Sequence, residues 1–235
     1  MNALADTSER WEFDRRLPLA QQVYADLRRR IVSLELPPDC PLSRVELSQH
    51  YQISQTPLRE ALQKLGEEGL VATYPQSRTE VSRIDVAQIF EAQFLRKAVE
   101  SDIVARLAAD PQKTRLAAAE ETHERLARSW EREQSFESFS EFDRQFHRDL
   151  YAAAGVVSLI HLVERRCGQL DRIRRLHLQW FNDKKPETVV MDHQLILDTI
   201  RRSDVEGAQN AMREHLAGTI GRLEVLRNNF PQYFS

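Results

Sequence analysis

Apolar residues recur at three- and four-residue spacing along most of this chain, the period of one buried helix face. Little in the sequence interrupts that rhythm. Only 7 glycines and 9 prolines stand among 235 residues, beside long runs of Leu, Ala, Glu, Arg and Gln. The chain is therefore expected to be mainly α. Its length suits one large domain or two modest ones. No window approaches the roughly eighteen uninterrupted apolar residues of a membrane span, and residues 1–14 hold no apolar signal core. The two cysteines, Cys40 and Cys167, make no spaced framework, so reduced thiols and a cytoplasmic setting are expected.

Residues 1–16 read as a flexible tail and 230–235 as a C-terminal tail. In the segment 17–84, Leu19, Val23, Leu27, Ile31 and Leu34 keep helical spacing until "PPDCP", which no helix can cross. A short helix "SRVELSQHY" follows, with Ser43 as its cap and Glu46 three residues on. The next, "SQTPLREALQKLGEEGL", has Ser54 as its cap, Pro57 in its first turn and Gly69 at its end. Two β-leaning runs, "LVATYP" and "TEVSRI", flank the turn "PQSR". Helix, short helix, tight turn, helix and hairpin make a winged helix-turn-helix, whose second paired helix would enter a DNA major groove.

Charge does not decide that reading. The net charge is −3, and residues 18–84 hold eight Lys or Arg against eight Asp or Glu. The decisive pattern is local. Leu58, Ala61, Leu62 and Leu65 share one face of the third helix, leaving Gln55, Thr56, Arg59 and Gln63 on the other. The stretch "PLSRVELSQHYQISQTPLREALQKLGEEGLVATYPQSRTEV" resembles the DNA-binding domain of the GntR family of bacterial regulators, over about residues 18–84. The resemblance implies that Arg44, Ser54, Gln55, Thr56 and Arg59 face DNA, with Ser77 and Arg78 of the wing. Arg44 and Arg59 suit guanine edges and Gln55 suits adenine, the alternative for Arg44 and Arg78 being phosphate contact or plain solvated charge. Three positions depart from the family pattern. Gln55 stands in place of an arginine, Gln52 in place of the turn glycine, and the wing glycine is replaced near Arg78.

From residue 85 to 229 the pattern is one of long helices, about six: 85–108, 111–133, 136–153, 156–178, 186–203 and 204–228, an antiparallel bundle with its own core. Asp143 and His147 lie four apart on a face shared with Phe139, Phe146 and Leu150. His193 shares a face with Ile196, Leu197 and Ile200, and His215 one with Ala208, Ala211 and Met212. Three inward imidazoles and one carboxylate from three helices can converge on a divalent transition metal: zinc first, with nickel, iron or manganese as alternatives. The plainer reading makes each a satisfied core residue, and His50, His123, His161 and His177 show nothing beyond that. "FDRQFHRDLYAAAG" and "DHQLILDTIRRSDVEGAQNAMREHL" resemble the FCD effector domain of the FadR subfamily, in its six-helix, VanR-like branch. That resemblance implies Asp143, His147, His193 and His215 as the metal ligands. Val156 departs from it, since relatives often carry asparagine there.

Arg96, on the apolar face of Ile89, Ile103 and Leu107, needs a partner. It is either an ion pair with Glu100, one turn along, or a clamp for a carboxylate effector. Arg174 is a second candidate pocket residue. Together these features describe a bacterial transcription regulator, expected to be a repressor, that reads palindromic double-stranded operator DNA as a homodimer at the nucleoid. It would answer to a small carboxylate-bearing metabolite and have no membrane partner. Two alternatives stand beside it: a metal-dependent enzyme with an accessory helix-turn-helix, and a regulator whose metal is purely structural.

Overall fold

The computed structural model describes residues 11–75, 77–110, 112–133, 136–180 and 186–235. The expected tail over residues 1–10, Gln76 of the wing turn, and the breaks placed at Pro111 and at 182–185 lie outside these. The chain divides into two compact units. One contains the chain up to Ile89 with Arg166–His177 and Glu224–Ser235; the other contains Phe90–Arg165 and Leu178–Leu223.

The first unit is built on α1 (Leu19–Val32), α2 (Arg44–Tyr51) and α3 (Gln55–Glu67), followed by β1 (Val71–Thr73) and β2 (Thr79–Val81). Val23, Leu27 and Ile31 of α1 meet Leu47 and Tyr51 of α2 and Leu58, Leu62 and Leu65 of α3 in one buried cluster. A polar group is admitted to this core where it is bonded. The Tyr51 hydroxyl donates to Asp26 at 2.6 Å, and Asp26 pairs with Arg29 at 2.9 Å. Helix α3 stops in a Schellman turn. Gly69 adopts φ +70°, its amide donates to the Gly66 carbonyl, and the Leu70 amide reaches the Leu65 carbonyl at 2.9 Å. A side chain on Gly69 would also collide with Gln88. The strands pair antiparallel, Val71 opposite Val81 and Thr73 opposite Thr79. The proline-rich segment after α1 is more than a helix stop, because Asp39 and Leu42 donate their amides to the Val81 and Thr79 carbonyls of β2.

Both expected tails are corrected where the structure describes them. Trp11 and Phe13 pack on the core of this unit, and Trp11 meets the Tyr51 ring edge-on at 5.4 Å. At the other end Phe234 is buried, and residues 233–235 pair with the backbone of Ile84.

Among the described residues the second unit is all helical: most of α4 (Val86–Ala109), then α5 (Ala117–Glu133), α6 (Phe136–Ala153), α7 (Ser158–Arg166), α9 (Pro186–Arg201) and α10 (Val205–Ala217). Helix α5 packs along α6 and against α9, and α9 packs along α10. Two expected helices are broken. The 156–178 helix divides into α7 and α8 (Gly168–Trp180) at Cys167, and α8 belongs to the first unit up to His177. Gly168 lies there against Leu70, where an added Cβ would come within 3.0 Å of that side chain. The 204–228 helix ends at Ala217 and resumes as α11 (Leu223–Asn229) after a 3₁₀ turn. Among the described residues no helix is long and apolar enough to cross a membrane.

Gln52, where the family pattern has glycine, closes α2 in the left-handed region at φ 51° and ψ 43°. A side chain there is strained. Gln52→Gly is expected to raise stability by roughly 0.5–1 kcal/mol, net of the extra freedom glycine has when unfolded. Thermal melts of the two proteins side by side check this, and an unchanged or lower midpoint would contradict it.

Candidate nucleic-acid interface and metal centre

The DNA-facing candidates sit together on the first unit. The Ser43 side chain accepts the Glu46 amide at 3.3 Å and starts α2, while Ser54 starts α3 without bonding any helix amide through its hydroxyl. Burial of Leu58, Ala61, Leu62 and Leu65 turns Gln55, Thr56, Arg59 and Gln63 to solvent, and Arg44 is exposed on α2. The Gln55 amide nitrogen bonds the Ser48 hydroxyl at 2.8 Å and the Arg44 carbonyl at 3.3 Å. On the wing, Ser77 and Arg78 are exposed. The Arg78 guanidinium is held by Glu80 at 2.6 Å and lies 4.7 Å over the Tyr74 ring. Exposed pairs of this kind are worth about 0–1 kcal/mol, so Arg78 can exchange Glu80 for a phosphate.

The second unit brings Asp143 and His147 of α6, His193 of α9 and His215 of α10 to one point. One ligand atom from each lies within 4.8 Å of all the others. His215 Nε2 is 3.2 Å from His147 Nε2 and 3.3 Å from His193 Nε2, and His193 Nε2 is 3.4 Å from an Asp143 oxygen. Ligands bonded at about 2.0–2.1 Å to a tetrahedral zinc stand roughly 3.3 Å apart.

The proton arrangement is as informative as the distances. His147 Nδ1 lies 2.7 Å from Glu100, and His215 Nδ1 lies 3.3 Å from Asp192. Burial opposes ionisation of Glu100, but Arg96 and then His147 overcome it and hold that carboxyl well below the usual range. An ionised carboxylate only accepts, so it favours the tautomer with the hydrogen on Nδ1, which leaves Nε2 open as a ligand. In that tautomer the Nε2 atoms of His147 and His215, 3.2 Å apart, both offer lone pairs. Adding protons is a poor remedy. Burial pushes His147 down, and it pushes His193 down to about 3. A divalent cation between the nitrogens satisfies all of them, so the donor set fits a transition metal.

The neighbours fix this geometry. Phe146 stacks on the His193 ring at 3.9 Å and 12°. Arg96 is buried and grips Glu100 through Nε at 2.7 Å and Nη2 at 3.3 Å. Arg96 thus reaches the cluster through Glu100 and His147. Arg174, on α8 in the first unit, pairs with Asp171 at 3.3 Å. The link from Glu100 to His147 and the role of Asp192 are absent from the sequence reading. Asp192 carried no signal beyond its place beside His193, and its partner is 23 residues away.

Comparison with known proteins finds a family match in each part of the chain. Residues 19–81 match the family described as "Bacterial regulatory proteins, gntR family", and residues 88–218 match the FCD domain. An uncharacterized HTH-type transcriptional regulator in an unstable DNA locus of Streptomyces ambofaciens is 35% identical over 92% of this chain and 89% of that protein. The HTH-type transcriptional repressor RspR of Escherichia coli K12 is 29% identical over 93% of this chain and 94% of its own length. Among solved structures, E. coli McbR/YncC superposes with a TM-score of 0.72 at 22% identity, covering 91% of this chain and 99% of that one.

The purified protein is expected to carry one divalent metal per chain by elemental analysis, and His193→Ala to carry none. Asp192→Asn, which loosens only the outer nitrogen of His215, is expected to weaken metal affinity about 10- to 100-fold with the fold retained. An unchanged affinity in a competition titration would show that Asp192 does not tune the site.

Proposed function

The chain belongs to the gntR family of bacterial regulatory proteins and carries an FCD domain, so it is a transcriptional regulator, and we propose that it is a metabolite-responsive repressor that binds palindromic operator DNA as a dimer. The observation that supports the metabolite response is the cluster of three histidines and an aspartate whose ligand atoms lie within 4.8 Å of one another. Asp143, His147, His193 and His215 would hold a divalent transition metal, zinc first, with nickel, iron or manganese as alternatives. Such an ion, when bound, supplies a positive charge to which a carboxylate oxygen of a small organic acid can bind. Glu100 keeps the His147 hydrogen on the outer nitrogen, and Arg96 keeps Glu100 charged. The Arg96 geometry favours the ion pair over a direct clamp on the effector.

Repression is supported by the E. coli relative, which is named a repressor. Dimeric binding follows from the design of the reader. One recognition helix spans a single half-site, and two copies related by a two-fold axis match a palindrome. Arg59, exposed at the middle of α3, and Arg44 would meet bases or phosphates, with Arg78 on flanking backbone. Such a protein acts where the chromosome lies, in the cytoplasm at the nucleoid. The families and relatives matched are regulators, not enzymes.

Selection of binding sites from randomised duplex DNA is expected to return a short palindrome, and Arg59→Ala to weaken binding to it at least tenfold at moderate salt. A panel of small organic acids should contain one that shifts operator affinity by about 5- to 150-fold. In His193→Ala that shift should vanish while basal binding remains. If metal removal unfolds the protein and no acid alters DNA binding, the metal is structural and the metabolite part of this reading fails.

A further inference from the structure

Gln55 is exposed at the start of α3, yet half of its side-chain amide is already in use. A glutamine amide offers two N–H donors on Nε2 and one acceptor oxygen. Nε2 donates to the Ser48 hydroxyl at 2.8 Å and to the Arg44 carbonyl at 3.3 Å, both on α2. Two partners take both hydrogens. The orientation is fixed by the Arg44 carbonyl, which can only accept. Turning the amide over would set oxygen against oxygen at that distance. The Oε1 atom is left without a protein bond among the described residues, and it is the end of the amide that remains for solvent or DNA.

We propose that Gln55 reads its base through this carbonyl oxygen alone, so that the operator carries an amino-bearing base, adenine or cytosine, where Gln55 touches it. The inference rests on the operator-binding reading above and deepens it. In the two-bond pairing of glutamine with adenine, the oxygen accepts from N6 and the nitrogen donates to N7. Here the nitrogen cannot donate to N7 without giving up Ser48 or Arg44. What remains is one bond, accepted from N6–H of adenine or N4–H of cytosine. Guanine and thymine offer acceptors at that place in the major groove and meet the oxygen unfavourably. The adenine preference expected from residue type alone therefore widens to adenine or cytosine. The cause is the pair of bonds that ties Gln55 back to α2.

Site selection with the full-length protein and with Gln55→Ala locates the position, as the one where preference relaxes in the variant. The wild type is expected to select adenine and cytosine there about equally. Operator duplexes substituted at that position then separate the two pairings. With 7-deazaadenine, which lacks N7 and keeps N6, binding should stay within about twofold. With unsubstituted purine, which lacks the amino group, it should weaken about fivefold. Ser48→Ala frees one amide hydrogen, so adenine should then gain over cytosine and 7-deazaadenine should become costly. Selection of guanine or thymine, a fivefold loss with 7-deazaadenine in the wild type, or no position relaxed by Gln55→Ala would each overturn the inference. If the wild type selects no sequence at all, the operator-binding reading itself fails and takes this inference with it.

Discussion

Three imidazoles and one carboxylate from α6, α9 and α10 converge on one point, and the second unit is organised around that convergence. Its supports are traceable. Arg96 holds Glu100 ionised, Glu100 stands 2.7 Å from His147 Nδ1, and Asp192 stands 3.3 Å from His215 Nδ1. Each link is local, but the chain of them runs through α4, α6, α10 and α9. Placing a charged pair as buried as Arg96 and Glu100 is costly unless it serves a geometry that apolar side chains could not give. Here the geometry is a convergence of lone pairs at metal-ligand spacing, with the aromatic face of Phe146 pinning the His193 ring. A cation placed at that point would be shared by α6, α9 and α10.

A different buried charge governs α8. Arg172 is fully buried, and its hydrogen-bond partners among the described residues are neutral: the Gln169 side chain at 2.9 Å and the Ser82 carbonyl at 2.8 Å. Burial pulls its pKa down to about 10, which still leaves it charged at neutral pH. Gln169 in turn donates to the Gly69 carbonyl at 2.8 Å, and Ser82 bonds the same carbonyl. The carbonyls at the two ends of the wing thus receive side chains from a helix that lies, in sequence, inside the FCD match. A guanidinium without a carboxylate tolerates little displacement, because a lost carbonyl bond leaves a buried charge unmet. Wing and α8 are therefore held in one register.

The period of three and four revealed the helices, because burial of one face is what that period encodes. It could not reveal the break at Cys167. Val163, Leu170 and Ile173 keep their spacing across it, and only Gly168 marks the place where α8 meets Leu70. The same limit hid Arg172. Spacing points to Arg174, yet the buried Arg172, two residues earlier, depends on a carbonyl 90 residues away. The metal-ligand candidates were legible because Asp143 and His147 repeat within one turn and each histidine shares an apolar face. Glu100 was legible as a partner of Arg96, also one turn away. Its contact with His147, and that of Asp192 with His215, cross between helices and leave no periodic trace. The terminal segments failed for a similar reason, since short polar stretches with one or two aromatics look like tails until Tyr51 and Ile84 are there to receive them.

The helix-turn-helix departs from its family pattern at two glutamines that act on each other's surroundings. Gln52 holds the turn in a left-handed conformation that a side chain opposes. Gln55, three residues later, bonds Ser48 and Arg44 on the far side of that turn. Each such bond is worth about 0.5–1.5 kcal/mol and less where solvent competes, which is the size of the strain at Gln52. The two glutamines together leave the turn near neutral in energy but narrower in conformation, because α3 is tied to α2 by its first residue. Thr56 and Arg59 are thus displayed on a fixed platform rather than on a hinge. The bonds that stiffen the turn also occupy the Gln55 amide hydrogens, so on the proposed reading those hydrogens are not offered to a base.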